Sequence, residues 1–277
     1  MPKKMLVLLA LLFAVHFTAL AQAGRTPVWQ PGTVIAMNGS YVVTRNIAAV
    51  GAASVITITA PNVDLDLNGF TLTGTLGGGA PVISIPGPFS EIRIHNGRLS
   101  GGGMSIDAPM LGRKLVIEKV HSQDASGPGA AALHAGDIQN LVIRESTVVG
   151  ATTTYSIALD GPSLGKTGVI ERNVIESVSG GGIRILFGQA FAVLHNRIDV
   201  GGLLAASGID LDCNGCLISE NTVRSSSGDG INLRQGWGNK LYDNVVEGSA
   251  GNGINIGPGA GDSLVLHNVL TMNGGHG

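Results

Sequence analysis

The amino-acid sequence predicts an all-β solenoid, in which short strands stack as successive coils. Glycine is abundant, at 43 of 277 residues, and valine, isoleucine and leucine are frequent, which indicates short strands joined by tight turns. An asparagine recurs about every 24 residues, and a fixed repeat of this length is typical of stacked architectures. Each repeat also carries a triplet with apolar first and third residues. The recurring asparagines are Asn173, Asn196, Asn221, Asn244 and Asn268.

The triplets predict which side chains face the core. Side chains alternate along a strand, so the first and third residues point inward and the middle residue points outward. The first residues are Ile83, Ile106, Leu133, Ile157, Ile183, Ile209, Ile231 and Ile254. The third residues are Ile85, Ala108, Ala135, Leu159, Ile185, Leu211, Leu233 and Ile256.

The recurring asparagine is interpreted as a corner residue of the repeat. Asparagine tolerates left-handed backbone angles, and its amide can hydrogen-bond to the next coil. Weaker copies of the repeat place Ser146 and Val120 in the same register, and Asn96 and Asn68 near it, which extends the solenoid to about nine coils.

The chain divides into three segments. Residues 1–23 have two lysines, an apolar run and the small residues Ala21-Gln22-Ala23, as in a cleaved signal peptide. Residues 24–62 are predicted to be an entry or cap segment, and residues 63–277 the repeats. The protein is therefore expected to be exported, periplasmic or secreted, with no membrane span.

Composition excludes several classes of function. Disorder requires low hydrophobicity and high charge, whereas 44% of these residues are hydrophobic and 13% are charged. The formal net charge of −2 gives no electrostatic basis for binding nucleic acid or an anionic membrane.

The repeat resembles that of right-handed parallel β-helix proteins, the pectate-lyase-like superfamily. The stretches "GSYVVTRNI" at 39–47 and "VDLDLNGFTLTG" at 63–74 resemble the entry coils of exported members of unassigned role. Members related to the nitrous-oxide-reductase accessory protein carry a similar repeat. The resemblance covers about residues 33–277 and implies a single-stranded right-handed parallel β-helix, but it does not specify a reaction.

The outward positions gather polar residues on one face of neighbouring coils. Stacked strands are about 4.8 Å apart, so four of these residues (Arg184, Asp210, Asp212 and Arg234) are expected to contact one another. The candidate catalytic residues are Asp210, Asp212 and Arg184. The candidate binding residues are His134, Asp160, Asn232 and Arg234.

Two interpretations of this face stay open. In the first, it is a polysaccharide groove, where carboxylates hold Ca²⁺ or act as acid and base and an arginine pairs with an acidic sugar. The resemblance to pectate lyases, which place acidic Ca²⁺ ligands and an arginine on one sheet, agrees with it. If the protein is an enzyme, it is then a polysaccharide lyase or glycoside hydrolase. In the second, the charges form solvated salt bridges.

Cys213 and Cys216 are the only cysteines. In an oxidising, exported location they are expected to form a short-range disulfide, and two free, partly buried thiols are the alternative. No cofactor is required by any motif, and the identity of any metal is unknown.

Three classes of function follow. The leading hypothesis is an exported protein that binds or modifies a polysaccharide. The rival is a non-catalytic structural or interaction solenoid, with a protein partner or oligomer contact at the C-terminal edge, where "NGGHG" begins a further repeat. The third is a periplasmic accessory protein for metalloenzyme maturation, which the resemblance permits.

Overall fold

The computed structural model describes residues 24–77, 79–126, 131–163, 165–177, 179–201 and 206–276. These residues form strands, turns and bends, with no helix among them. Accordingly, none of the described residues belongs to a helix that could cross a membrane. The predicted signal peptide, residues 1–23, lies outside the described residues.

The described chain forms 28 short strands. In chain order they are β1 (Thr26–Val28), β2 (Thr33–Ile35), β3 (Gly39–Val43), β4 (Ile47–Ala48), β5 (Ile56–Ile58), β6 (Asn62–Asp66), β7 (Thr71–Thr73), β8 (Ile83–Ser84), β9 (Phe89–Ser100), β10 (Ile106–Ala108), β11 (Gly112–Gln123), β12 (Ala131–Ala135), β13 (Ile138–Arg144) and β14 (Thr147–Ala151). They continue as β15 (Tyr155–Leu159), β16 (Lys166–Glu171), β17 (Val174–Ser177), β18 (Gly181–Leu194), β19 (Arg197–Val200), β20 (Ile209–Asn214), β21 (Leu217–Ser219), β22 (Thr222–Arg224), β23 (Ile231–Trp237), β24 (Lys240–Tyr242), β25 (Val245–Glu247), β26 (Ile254–Gly261), β27 (Leu264–Leu266) and β28 (Val269–Thr271).

All pairings are parallel, and they stack the strands into three faces. Face A contains β2, β5, β8, β10, β12, β15, the start of β18, β20, β23 and β26. Face B contains β1, β3, β6, the starts of β9 and β11, β13, β16, the end of β18, β21, β24 and β27. Face C contains β4, β7, the ends of β9 and β11, β14, β17, β19, β22, β25 and β28.

The predicted β-solenoid is confirmed. It has ten coils in the described residues, whereas the sequence repeat predicted about nine. The pairs β2–β5, β3–β6 and β4–β7 make residues 33–48 the first coil, inside the segment predicted to be an entry or cap. This coil begins with Thr33 at the first triplet position, so it does not match the apolar pattern that identified the other coils.

The core consists of the predicted inward columns. Ile106, Leu133, Ile157 and Ile183 are stacked in register and are at most 1% exposed. In coil 10, the last coil described, the equivalent apolar positions have neighbours on one side only. Ile256 and Val265 are consequently 40% and 41% exposed.

The recurring asparagines form a buried ladder between faces B and C. The side-chain oxygen of Asn196 accepts hydrogen bonds from both the backbone nitrogen and the side-chain amide of Asn173, each at 3.0 Å. The amide of Asn196 in turn donates to the Ile170 carbonyl at 2.8 Å. The predicted bonding between coils is therefore confirmed.

The predicted backbone role of this asparagine is wrong by one residue. The left-handed residue precedes it in each coil, as at His195 with φ 54° and Glu220 with φ 55°. The asparagine side chain must point inward along the stack to reach both neighbouring coils, so the turn itself falls on the exposed residue before it. In the earlier coils Asn68 and Asn96 do occupy that left-handed position.

Candidate functional site

The outward positions of face A carry a continuous line of polar side chains from coil 4 to coil 10, called here the polar ladder. Parallel register stacks Asp107 on His134, and Arg184 on Asp210 and Asn232. The polar ladder consists of Asp107, His134, Tyr155, Asp160, Arg184, Asp210, Asn232, Arg234 and Asn255.

His134 lies between two carboxylates. Its Nδ1 is 2.6 Å from Asp107 and its Nε2 is 2.7 Å from Asp160, whose other oxygen accepts from Arg184 at 2.5 Å. Burial opposes protonation of His134, but the hydrogen bonds and charges of Asp107 and Asp160 outweigh it and raise the pKa to about 9. Burial also acts against the ionised form of Asp160, yet His134 and Arg184 lower its pKa. Both partners are thus charged at neutral pH.

Tyr155 connects the two halves of the polar ladder. The guanidinium of Arg184 lies 4.7 Å from the centre of its ring, and its hydroxyl donates to Asp210, two coils away, at 2.8 Å. The ring can cross the intervening coil because that coil has glycine at position 181. A Cβ on Gly181 would lie 2.5 Å from the tyrosine ring. Tyr155 is only 6% exposed, and burial together with Asp210 raises its pKa.

Asp210 is buried and fully hydrogen-bonded. One carboxylate oxygen accepts from Asn232 at 3.0 Å and from Nε of Arg234 at 2.7 Å. The other accepts from Tyr155 and from a terminal nitrogen of Arg234. This bidentate pairing with Asp210 outweighs desolvation and raises the pKa of Arg234. Asp210 is 1% exposed, so a carboxylate with about four acceptor positions has none left for a ligand.

Asp212 does not join this cluster. The register shifts between Leu211 and Asp212, so Asp212 lies opposite Gln235 and accepts a hydrogen bond from its amide. A similar shift follows Ile185 in the preceding coil. Of the expected mutual contact of two aspartates and two arginines, the Asp210–Arg234 ion pair remains. The bulge moves Asp212 to Gln235, and Arg184, although stacked beside Asp210, pairs with Asp160.

Three members of the polar ladder were not among the candidate site residues: Asp107, Tyr155 and Asn255, the last of which is the middle residue of its triplet. Asp107 occupies the middle position of its triplet, the same signal that identified His134 and Asp210. Tyr155 lies two residues before Ile157, and no residue nearby in sequence indicates a bond to Asp210, 55 positions away.

Cys213 and Cys216 are paired as a disulfide, with Cα atoms 6.0 Å apart. Both cysteines are 1% exposed and belong to the main hydrophobic core. The disulfide closes the turn at Asn214-Gly215, directly after Asp212 in the chain.

Comparison with known proteins gives one family match. Residues 165–277, less than half of the chain, match the model of a family described as periplasmic copper-binding protein (NosD). The predicted exported, periplasmic location is confirmed at the level of this family, and the match is consistent with a parallel β-helix. No curated protein matches the chain. No solved structure matches it either.

The donor groups in the matched range do not fit a copper ion. Copper prefers thiolate, thioether and imidazole ligands. The disulfide removes both thiolates, and His195 and His267 lie on separate coils beside Glu220 and Asp243. Across the described part of the chain, no three His, Cys, Asp or Glu side chains converge where a metal could bind. The remaining nitrogen and sulfur donors of this range are His276 and Met272.

Proposed function

We propose that the protein is a non-catalytic, periplasmic accessory protein that acts by binding a protein partner. The observation that carries this proposal is that every acceptor position of the Asp210 carboxylate is already used by a protein hydrogen bond. This carboxylate is buried and accepts hydrogen bonds from Tyr155, Asn232 and Arg234, so no lone pair is free to take a proton or hold a cation.

The remaining charged groups of the polar ladder support the same reading. His134, Asp160 and Arg184 are bound to one another and are 15–19% exposed, which suits a rigid face better than a proton-transfer site. Asp210 and Asp212 do not form an acid–base pair across an open groove, since only Asp212 is accessible and it bonds Gln235. The family match, with its periplasmic description, agrees with an accessory role.

Two experiments test this function. The exported protein is incubated with linear acidic and neutral polysaccharides, with and without Ca²⁺, and new reducing ends and unsaturated products are measured. We expect no product. A product that disappears in Asp212→Asn or Arg184→Gln would show that the protein is an enzyme.

The partner is sought by photo-crosslinking in the periplasm. A photoreactive residue is placed at exposed sites on faces A, B and C in turn. A discrete protein adduct from one face, absent from the other two, supports the accessory role. Adducts of equal yield and pattern from all three faces would contradict it.

Polysaccharide binding on face A is the second candidate function. Trp237 supports it, because this residue is 64% exposed and follows Arg234 and Gln235 at the end of β23. An exposed aromatic ring beside amide and guanidinium groups can support a sugar ring. A glycan array with and without Ca²⁺ tests this candidate. Retention of a glycan by the wild-type protein, and its loss in Trp237→Ala and Asp212→Asn, would favour sugar binding over an accessory role.

A further inference from the structure

Face B carries a polar groove that is separate from the polar ladder. It encloses about 630 Å³ and follows the first outward positions of five successive strands. These positions stack in register from coil 2 to coil 6. We call it the face B groove, and its floor consists of Asn62, Glu91, Lys114, Asn140 and Thr167, with Arg113 at its side.

The side chains of the face B groove retain free hydrogen-bonding capacity that is exposed to solvent. Arg113 is exposed and makes no ion pair or side-chain hydrogen bond with any described residue. Lys114 has one partner, Glu91, at 2.8 Å, and both side chains are about half exposed. The side-chain amide of Asn62 is likewise unbonded within the described part of the chain. The groove therefore presents cations and amides that a ligand can use.

In the coils that the groove spans, the neighbouring columns of face B do not offer this capacity. Two residues further along the strands, Arg93 bonds Glu118 at 2.9 Å, and Glu118 also pairs with Arg144 at 3.4 Å. Arg25 is held by Asp66 at 2.7 Å. Between coils 2 and 6, the charged side chains of these neighbouring columns are thus ion-paired, whereas the first column, where the groove lies, keeps unpaired groups.

We propose that the face B groove binds an extended, acidic segment of the partner protein. This inference rests on the accessory function proposed above and names the surface and the chemistry of the contact. A free guanidinium and a lysine recognise carboxylate side chains, and amides such as Asn62 and Asn140 can both donate to and accept from peptide groups. None of the described residues that line the groove is aromatic, which favours a peptide over a sugar.

The dimensions and shape suit a peptide strand. Five stacked positions at about 4.8 Å span roughly 19 Å, which an extended segment of about six residues covers. Gly112, two residues before Lys114, makes room for the buried ring of Phe89 in the preceding coil. A Cβ there would lie 2.2 Å from that ring. Glu91 is the one carboxylate among the described lining residues, and it weakens the binding of an acidic ligand because it pairs with Lys114.

The test uses labelled hexapeptides of glutamate and serine, with glutamine–serine and lysine–serine versions as controls, and measures binding to the exported protein by fluorescence anisotropy. We expect only the acidic peptide to bind, with an affinity that falls as salt rises. The double substitution Arg113→Gln and Lys114→Gln should weaken binding of the acidic peptide at least tenfold. Glu91→Gln should strengthen binding of the acidic peptide several-fold. If Glu91 had only a structural role, this substitution would not increase the affinity.

Arg98→Gln is the matched control, since Arg98 is an exposed, unpaired arginine on face C of coil 3. Equal weakening by Arg98→Gln, equal binding of the neutral peptide, or no binding of the acidic peptide would overturn the proposal. A tetragalacturonate probe that binds through Arg113, while the acidic peptide does not, would assign the groove to a glycan instead.

The outcomes separate this inference from the proposed function. A protein adduct whose yield is unchanged by Arg113→Gln and Lys114→Gln would contradict partner binding in the face B groove. The same result would leave the proposed accessory role supported. Binding of the acidic peptide together with polysaccharide turnover would contradict the non-catalytic accessory role. The face B groove would then still be a peptide-binding site.

Discussion

Asp210 shows how a carboxylate with the sequence position of a catalytic acid becomes a structural group. Its burial beneath Arg234 and Tyr155 makes each hydrogen bond stronger than it would be in water, and makes removal of the carboxylate costly. Asp212, two residues later, is accessible and has a single amide partner. We therefore expect removal of the Asp210 carboxylate to destabilise the protein far more than removal of the Asp212 carboxylate.

We expect Asp210→Ala to destabilise the fold by about 2–4 kcal/mol, because it leaves Tyr155 and Arg234 without their shared acceptor. For a chain of this size that corresponds to a drop of roughly 5–10 °C in Tm. Asp212→Ala should cost less than about 1 kcal/mol. Thermal melts followed by circular dichroism compare the two variants, and similar shifts would contradict the hydrogen-bond assignment.

His134 gives a prediction for pH. Its pKa is raised from 6.5 to about 9, so pairing with Asp107 and Asp160 stabilises the protein fully below pH 6.5. That contribution, about 3 kcal/mol from the shift, is lost as pH rises through 9. The Tm difference between wild type and His134→Gln should therefore narrow between about pH 6.5 and 9. An NMR titration of the imidazole with a midpoint near 6.5 would refute the raised pKa.

At the scale of the repeat element, two adjacent residues have different roles in the turn between faces B and C. The exposed residue, such as His195, takes the left-handed backbone, whereas the buried Asn196 bonds three groups of the preceding coil. The role of each can be separated by glycine, which provides the backbone angle without the side chain.

We expect Asn196→Gly to lower Tm as much as Asn196→Ala, because either change leaves the buried backbone nitrogen of Asn173 without an acceptor and removes one of the two acceptors of its side-chain amide. His195→Gly should have little effect, since glycine adopts φ 54° without strain. If asparagine were present for its backbone angle, Asn196→Gly would instead be close to neutral in the same melts.

At the scale of the whole molecule, the family match covers coils whose metal-binding groups are few and dispersed. The disulfide leaves no thiolate, and the histidines of this range lie on different coils. The asparagine ladder and the inward apolar columns of the solenoid also recur in this range. Copper binding therefore does not follow from the match alone.

We expect the oxidised protein to retain no Cu(I) in competition with a chromophoric chelator, measured by the absorbance of the chelate. The reduced protein and Cys213→Ser/Cys216→Ser are the paired controls, since reduction restores two thiolates and the variant removes them. One equivalent of copper held by the oxidised protein would contradict the prediction.

Some features of the solenoid are readable from short stretches of sequence. Ile157, Ile183 and Ile209 identify the core because their alternation with polar neighbours is local, and Asn173 to Asn268 identify the stack because their spacing is nearly constant. Coil 1 was not recognised because Thr33 breaks the apolar pattern. The left-handed position was misassigned because Asn and its preceding residue share one tight turn.

The sequence by itself determined that the chain stacks in parallel coils, since a period of about 24 residues brings like side chains into register at every turn. Only the tertiary structure decided which polar groups are free. A bulge after Leu211 turns Asp212 to Gln235, and Tyr155 reaches across a glycine to Asp210 two coils away. Such contacts depend on a one-residue register shift and on the length of a side chain, neither of which a repeat spacing records. For the same reason the unpaired Arg113 is distinguished from the paired arginines only in three dimensions.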